Sequence, residues 1–282
     1  MILPNVVGCG AGKSGTTSLY YYLSQHPDIF MAAAKEVHYF SHNYSRGDVW
    51  YQRYFENAAK QIIGEFSTSY LINPEVPARM AHLLPQAKLL FIFRNPIERA
   101  YSNYWFSISI GTQSPNETFS EAIRTPAGYN KYVATGLYFQ HLERFLDYYS
   151  PESIYIMITE YLQSNPQDEM KSCYKFLGVS TDFQPDVKQK FNISVGTSNP
   201  LMAVTYRNWI TIKNRIKPTF TRFPTSLRRS LALLEIQATR RFMSEKRPPI
   251  SDYDLEFLQN EYKSHNTQLF DFLGNNIPHW EI

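Results

Sequence analysis

Lys13 stands in the run Gly10-Ala11-Gly12-Lys13-Ser14-Gly15-Thr16-Thr17-Ser18-Leu19, between the apolar pair Val6-Val7 and a helical pattern that begins near Thr16. A glycine-rich turn between a strand and a helix points backbone N–H groups inward, and the helix N-terminus adds positive potential. A lysine in that turn adds a full charge. The chemistry implied is the holding of a phosphate-bearing ligand. Thr16 and Thr17 can cap the helix and donate to the same anion, two roles that do not compete. A second anion-holding candidate is Arg94, which follows the apolar run 87–93 and precedes Asn95-Pro96. A guanidinium matches phosphate bidentately. Pro96 suits the first position of a helix. Ser102 then stands roughly two turns along that helix, within reach of the oxyanion that Arg94 would hold.

The first loop is nearly, but not quite, a Walker A loop. That motif needs glycine, four residues, then Gly-Lys-Ser/Thr. Counting back from Gly12 lands on Val7, and Gly8 is one residue too close. A phosphotransferase of that class also places a carboxylate at the end of a later strand to help hold magnesium. Here the strand ends in arginine, which binds anions and not cations.

The two loops together resemble the sulfotransferases that use 3'-phosphoadenosine 5'-phosphosulfate (PAPS). In that family a Lys-x-Gly-Thr-Thr loop holds the 5'-phosphosulfate, matched here by Lys13, Ser14, Gly15, Thr16 and Thr17. An arginine with a serine eight residues later grips the 3'-phosphate, matched by Arg94 and Ser102. The resemblance continues in chain order through His26-Pro27-Asp28 and Lys35-Glu36-Val37-His38-Tyr39-Phe40. It runs on through Gly64-Glu65-Phe66-Ser67-Thr68-Ser69-Tyr70, Gly136-Leu137-Tyr138-Phe139-Gln140-His141-Leu142 and Ser194-Val195-Gly196-Thr197-Ser198-Asn199-Pro200. It closes with Leu258, Tyr262, Asn266 and Leu269. The segments are similar to those of the glycosaminoglycan-modifying members, such as the heparan sulfate sulfotransferases. The chain departs from them at Val195 and Thr197, where relatives place cations, and at Phe66, where glycan-modifying members use lysine.

The resemblance implies a PAPS donor, PAP as product and no metal. It implies donor contacts from Lys13, Ser14, Gly15, Thr16, Thr17, Arg94, Ser102, Gly196 and Thr197. Sulfuryl transfer requires neutralisation of charge growing on the bridging oxygen, the task of Lys13, and removal of a proton from the acceptor. By motif position Glu36 is the base; His38 is the alternative, either as base or as the group that orients it. Glu65 is either a further acid in the cleft or a buried hydrogen-bonded partner. His141 is expected to be structural and Arg99 to be a surface residue. Tyr138 either approaches the adenosine or packs in the core.

The 282 residues, 43% apolar, suffice for one α/β domain. Cys9 and Cys173 lie too far apart in sequence to suggest a disulfide framework or a zinc site. Most of the 21 tyrosines and 19 phenylalanines are expected in the core. Strands are predicted at 5–9, 61–66, 87–93 and 153–159, and helices at 16–25, 74–83, 97–110, 130–148 and 167–177. The alternation predicts a central parallel sheet flanked by helices in three layers, a P-loop-like fold. Its ligand site lies at the strand C-terminal ends. Residues 201–250 carry eleven cations against Glu235 and Glu245. They are read as a basic helical segment with a solvated face, the alternative being a cover over the acceptor site that attracts an anionic substrate or membrane surface. No base-reading module is present, so nucleic acid is not an expected partner. No leader pattern or run of 18 apolar residues occurs, which predicts a cytoplasmic enzyme without integral membrane association.

The function expected is sulfuryl transfer from PAPS to a hydroxyl or amine of a small-molecule acceptor. A secondary-metabolite tailoring step would fit, with guanidinium alkaloids of the saxitoxin type as one acceptor class. A glycan or glycolipid acceptor is the alternative within this chemistry. A P-loop kinase and a non-catalytic nucleotide-binding protein are the alternatives outside it.

Overall fold

A computed structural model describes residues 2–114, 116–188 and 247–280. In chain order its main elements are β1 (Val6–Gly10), α1 (Thr16–Leu23), β2 (Ile29–Met31), α2 (Asp48–Gln52) and β3 (Ile62–Phe66). There follow α3 (Val76–Leu83), β4 (Lys88–Phe93), α4 (Pro96–Ser109), α5 (Phe119–Ala122), α6 (Pro126–Gly128) and α7 (Tyr138–Leu146). The series ends with β5 (Ile154–Ile158), α8 (Thr159–Ser164), α9 (Pro166–Leu177) and α10 (Asp252–Leu273).

Among the described residues the five strands form one sheet in the order β2-β3-β1-β4-β5, with every neighbouring pair parallel. The central strands are apolar apart from Glu65 in β3 and Lys88 at the start of β4, because helices cover both faces of such a sheet. Every residue of β1 is buried, and Leu89 to Phe93 of β4 are at most 1% exposed. Gly8 has no room for a side chain: a Cβ there would lie 2.1 Å from the Phe66 ring. Phe66 in turn is fully buried across β1. Both the strand-end arginine and the glycine-rich loop leave adjacent strands at the same sheet edge.

The contacts divide the described residues into two compact units. One holds those up to Pro96, those from Leu137 to Lys188 and those from Tyr262; the other holds Ile97–Gly136 and those from Arg247 to Glu261. The first unit contains the sheet and an aromatic core. Phe93 stacks on Tyr138 at 4.3 Å, and Phe91 meets Phe145 edge-on at 5.1 Å. Tyr39 stacks on Tyr51 at 4.3 Å. Tyr138 is therefore a core residue, 1% exposed, and its hydroxyl donates to the Arg94 carbonyl at 2.8 Å.

The second unit corrects one expectation. Arg99 is not a surface residue: it is 2% exposed and donates to the Tyr132 carbonyl. The helix expected over 130–148 also differs. Its first part is a π turn (Tyr129–Val133) and a 3-10 turn (Ala134–Gly136), and the α-helix starts only at Tyr138. Val133, Thr135 and Gly136 disfavour α-helix through stiff β-branched side chains and glycine's backbone entropy. The three-residue strand β2 is too short for sequence periodicity and went unforeseen. Leu258, Tyr262, Asn266 and Leu269, expected in a closing helix, are all buried on α10. Among the described residues, no helix is long and apolar enough to cross a membrane.

Candidate active site

The glycine-rich loop joins β1 to α1. Gly15 caps the helix in the left-handed region (φ 91°), and Lys13 lies there too at φ 70°. A non-glycine residue in that region costs about 1–2 kcal/mol, so the surrounding contacts must hold the loop in shape. They are on hand. The Ala11 N–H donates to the Ile92 carbonyl at 2.9 Å, which ties the loop to β4. Thr159 places its hydroxyl 2.6 Å from the Ser14 carbonyl and 2.8 Å from that of Phe93. Ser14 is fully buried, and its Oγ has no hydrogen-bond partner. A buried hydroxyl without a partner at a helix N-terminus fits an anionic ligand that would supply the missing bond. Lys13 is half-buried in the same loop.

The second component is the loop 35–38, which runs beside the end of β3. Glu36 (φ 67°) and His38 (φ 55°) are again left-handed, so three of the strained non-glycine residues are three sequence-predicted catalytic residues. Strain of this kind concentrates at functional sites. Glu36 N–H donates to the Phe66 carbonyl at 2.9 Å. Its carboxylate accepts from the Thr68 N–H at 2.7 Å, from the Thr68 hydroxyl at 3.1 Å and from Lys35 Nζ at 3.0 Å. His38 Nε2 lies 3.6 Å from the same carboxylate. Burial pushes the Glu36 carboxyl up. The Lys35 ammonium, the Thr68 N–H and the His38 imidazole together outweigh it and hold Glu36 below the ordinary carboxylate value. The two loops touch: Lys35 Nζ reaches the Thr16 hydroxyl at 3.4 Å.

Beneath them lies Glu65, fully buried, with the hydroxyls of Tyr70, Ser67 and Tyr51 at 2.6, 2.8 and 3.1 Å. Ser67 also accepts the His38 N–H at 2.9 Å, and His38 Nδ1 is 2.7 Å from the Ser69 hydroxyl. Glu65 thus holds the His38 backbone through one serine, the buried-partner reading rather than a cleft acid. Burial drives its carboxyl up to about 7, against the pull of the three hydroxyls. A carboxyl whose folded pKa is raised binds a proton more tightly in the folded than in the unfolded state. Stability from this group is therefore complete below about pH 4.5 and falls as pH rises through 7. Glu65→Gln should flatten this decline. A melting-temperature profile from pH 4 to 8 checks it; equal slopes in both proteins would refute it.

Arg94 follows β4 at the sheet edge that bears the glycine-rich loop, with the Asn95 N–H fixed by Glu160 at 2.8 Å. Ser102 is a buried residue of α4 in the second unit. His141 is buried on α7, as expected of a structural histidine. Val195, Gly196, Thr197 and almost all of the basic segment 201–250 lie outside the described residues. Cys9 and Cys173 are free and buried. Among the described residues, no group of three or more His, Cys, Asp or Glu is placed to hold a metal ion. Sequence reasoning missed the parts played by Lys35, Ser67, Thr68, Ser69 and Thr159. Lys35 stood inside the quoted motif, and its neighbour Glu36 was the available signal.

Residues 3–200 match the family model described as "Sulfotransferase domain". The chain is 34% identical over 196 residues to the human bifunctional heparan sulfate N-deacetylase/N-sulfotransferase 2, covering 63% of this chain and 22% of that protein. It is 28% identical to the human bifunctional heparan sulfate N-deacetylase/N-sulfotransferase 3, covering 99% of this chain and 31% of that protein. The chain thus spans less than a third of the length of these curated relatives. A crystal structure of a sulfotransferase from Alicyclobacillus acidocaldarius superposes with a TM-score of 0.61 at 29% identity, covering 81% of this chain and 100% of that one.

Proposed function

Because the chain belongs to the sulfotransferase domain family, we propose that it moves the sulfuryl group of PAPS to a hydroxyl or amine of a small metabolite. The observation that carries this reading is the meeting of an anion loop and an ionised carboxylate through Lys35. The anion loop contains the strained Lys13 and the unpartnered Ser14 hydroxyl, and the carboxylate is Glu36. The nucleotide supplies an activated sulfuryl group and a stable leaving group. Lys13, Ser14, Gly15, Thr16 and Thr17 would hold its 5' end, and Arg94 and Ser102 its 3'-phosphate. Gly196 and Thr197 would contact the nucleotide from outside the described region. Lys13 neutralises charge growing on the bridging oxygen. Glu36, already ionised at neutral pH, takes the acceptor's proton, and His38 orients it.

A small acceptor is favoured by Phe66, which puts a buried ring where glycan-modifying relatives have a lysine. A carboxylate base suits a cationic acceptor, guanidinium alkaloids among them. The second reading, an amine on a glycan, is favoured by the similarity to proteins named heparan sulfate N-sulfotransferases. Radiolabelled PAPS offered with amine, guanidine and polyol metabolites, and separately with N-desulfated heparan, separates the two. Label on a small product supports the first reading, and label only on the polymer replaces it with the second. Arg94→Ala should weaken PAP binding by about tenfold or more in calorimetry, as expected for loss of a charge-assisted bond. Unchanged affinity would remove Arg94 from the donor site.

A further inference from the structure

We infer that Lys35 couples occupancy of the anion loop to the readiness of Glu36 as a base. An anion seated at the N-terminus of α1 draws the Lys35 ammonium from the carboxylate and leaves one carboxylate oxygen open to the acceptor's proton. This rests on the donor reading above.

The geometry is that of a shared cation. Lys35 Nζ is 3.0 Å from Glu36 Oε1 and 3.4 Å from the hydroxyl of Thr16, the first residue of α1. The two oxygens of Glu36 are divided. Thr68 donates twice to Oε2 from a fixed backbone position, whereas Oε1 accepts, among the described residues, from Lys35. Thr68 therefore keeps the carboxylate in place when Lys35 moves, and Oε1 is the atom exposed by the move. The side chains of Lys35 and Glu36 are 20% and 25% exposed, so their attraction is only partly screened. Lys35 Nζ also lies 5.9 Å from the centre of the buried Phe66 ring. That ring gives the ammonium an attractive but non-bonding floor and offers no competing hydrogen bond. A lysine at position 66 would supply a rival cation there, and phenylalanine does not.

Among the described residues, the charged groups facing Glu36 are Lys35, the His38 imidazole and the buried Glu65. Removing Lys35 from this set leaves burial and Glu65 less opposed, so the affinity of Glu36 for a proton rises. A carboxylate held below its ordinary value is a weak base. The coupling restores basicity only when donor is present, which limits wasteful protonation of Glu36 between turnovers.

The test is calorimetric titration of PAP into the protein between pH 5 and 7, in buffers of different ionisation enthalpy, to count protons taken up. PAP's own phosphates and other groups set a background, which Glu36→Gln measures. Wild-type protein should take up more protons than this background, with the excess growing toward the acid end of the range. Lys35→Met, which keeps an apolar stem over Phe66, should lose most of the excess. Lys35→Arg, which keeps the charge, should retain it. Equal uptake by wild type and Glu36→Gln overturns the coupling while PAP binding still stands. Full excess in Lys35→Met overturns the part given to Lys35. Absence of PAP binding to the wild-type protein overturns the donor reading, and the coupling with it.

Discussion

Replacing Lys13 by alanine is expected to lower kcat by about 10²- to 10³-fold, with a smaller loss of PAP affinity. The asymmetry follows from when charge appears. In the ground state the helix N-terminus and several loop N–H groups share the anion, so one ammonium is one contributor among many. As the bond to the leaving oxygen breaks, negative charge collects on a single atom. Removing one preorganised partner of such an atom costs about 3–4 kcal/mol. Stopped-turnover kinetics with saturating donor, beside calorimetry with PAP, separate the two quantities. A loss of PAP affinity with kcat unchanged would assign Lys13 to uniform binding rather than to the transition state. Lys13 also sits at φ 70°. Lys13→Gly, which is at ease there, should therefore raise stability by about 1 kcal/mol while losing the same activity. A site that is more stable without its functional residue is what strain stored for function predicts.

Glu36→Gln should lower kcat by about 10²- to 10⁴-fold, the usual worth of a positioned base, with little change in melting temperature. The amide is nearly isosteric and its oxygen still accepts from the Thr68 N–H, the bond that fixes residue 36 at 2.7 Å. What disappears is the proton acceptor and the partner of Lys35. Glu36 lies below the ordinary carboxylate value in the free protein. The kcat/KM profile for the donor, which reports the free enzyme, should accordingly bend on its acid side only below the ordinary carboxylate value. A kcat within threefold of wild type would move the base to His38. That outcome is physically open, because His38 Nε2 is 3.6 Å from the Glu36 carboxylate and could reach the same proton.

The glycine-rich loop and the strand-end arginine were legible in the sequence alone. A strand, a glycine-rich turn and a helix occupy fewer than twenty consecutive residues, so their types dictate the anion loop locally. The same holds for Arg94, since an apolar run followed by Arg-Asn-Pro announces a strand end and a helix start. The expected strands match β1, β3, β4 and β5 to within one residue at each end. The acid half was legible only as a motif. Glu36 and His38 could be pointed at by resemblance, but not the groups that set their charge and direction.

Those groups were decided by register. β3 pairs with β1 so that Phe66 stands level with Gly8. The residues after Phe66 therefore emerge beside the anion loop, and Thr68 meets a glutamate 32 positions earlier in the chain. The same pairing brings Lys35 to Thr16 and lets Ser67 join Glu65 to His38. Which neighbour a side chain finds across a sheet depends on strand order, and strand order follows from the collective burial of many apolar residues rather than from any local pattern. Burial of Arg99 was hidden for the same reason, since an arginine on a helix reads as solvated until the helix face it occupies is known. The sequence by itself determined the α/β class, the anion loop, the strand-end arginine and the candidate base, all carried by contiguous residues. Only the tertiary structure decided that Lys35 stands between Thr16 and Glu36, because that contact exists once three separate segments are packed at one sheet edge.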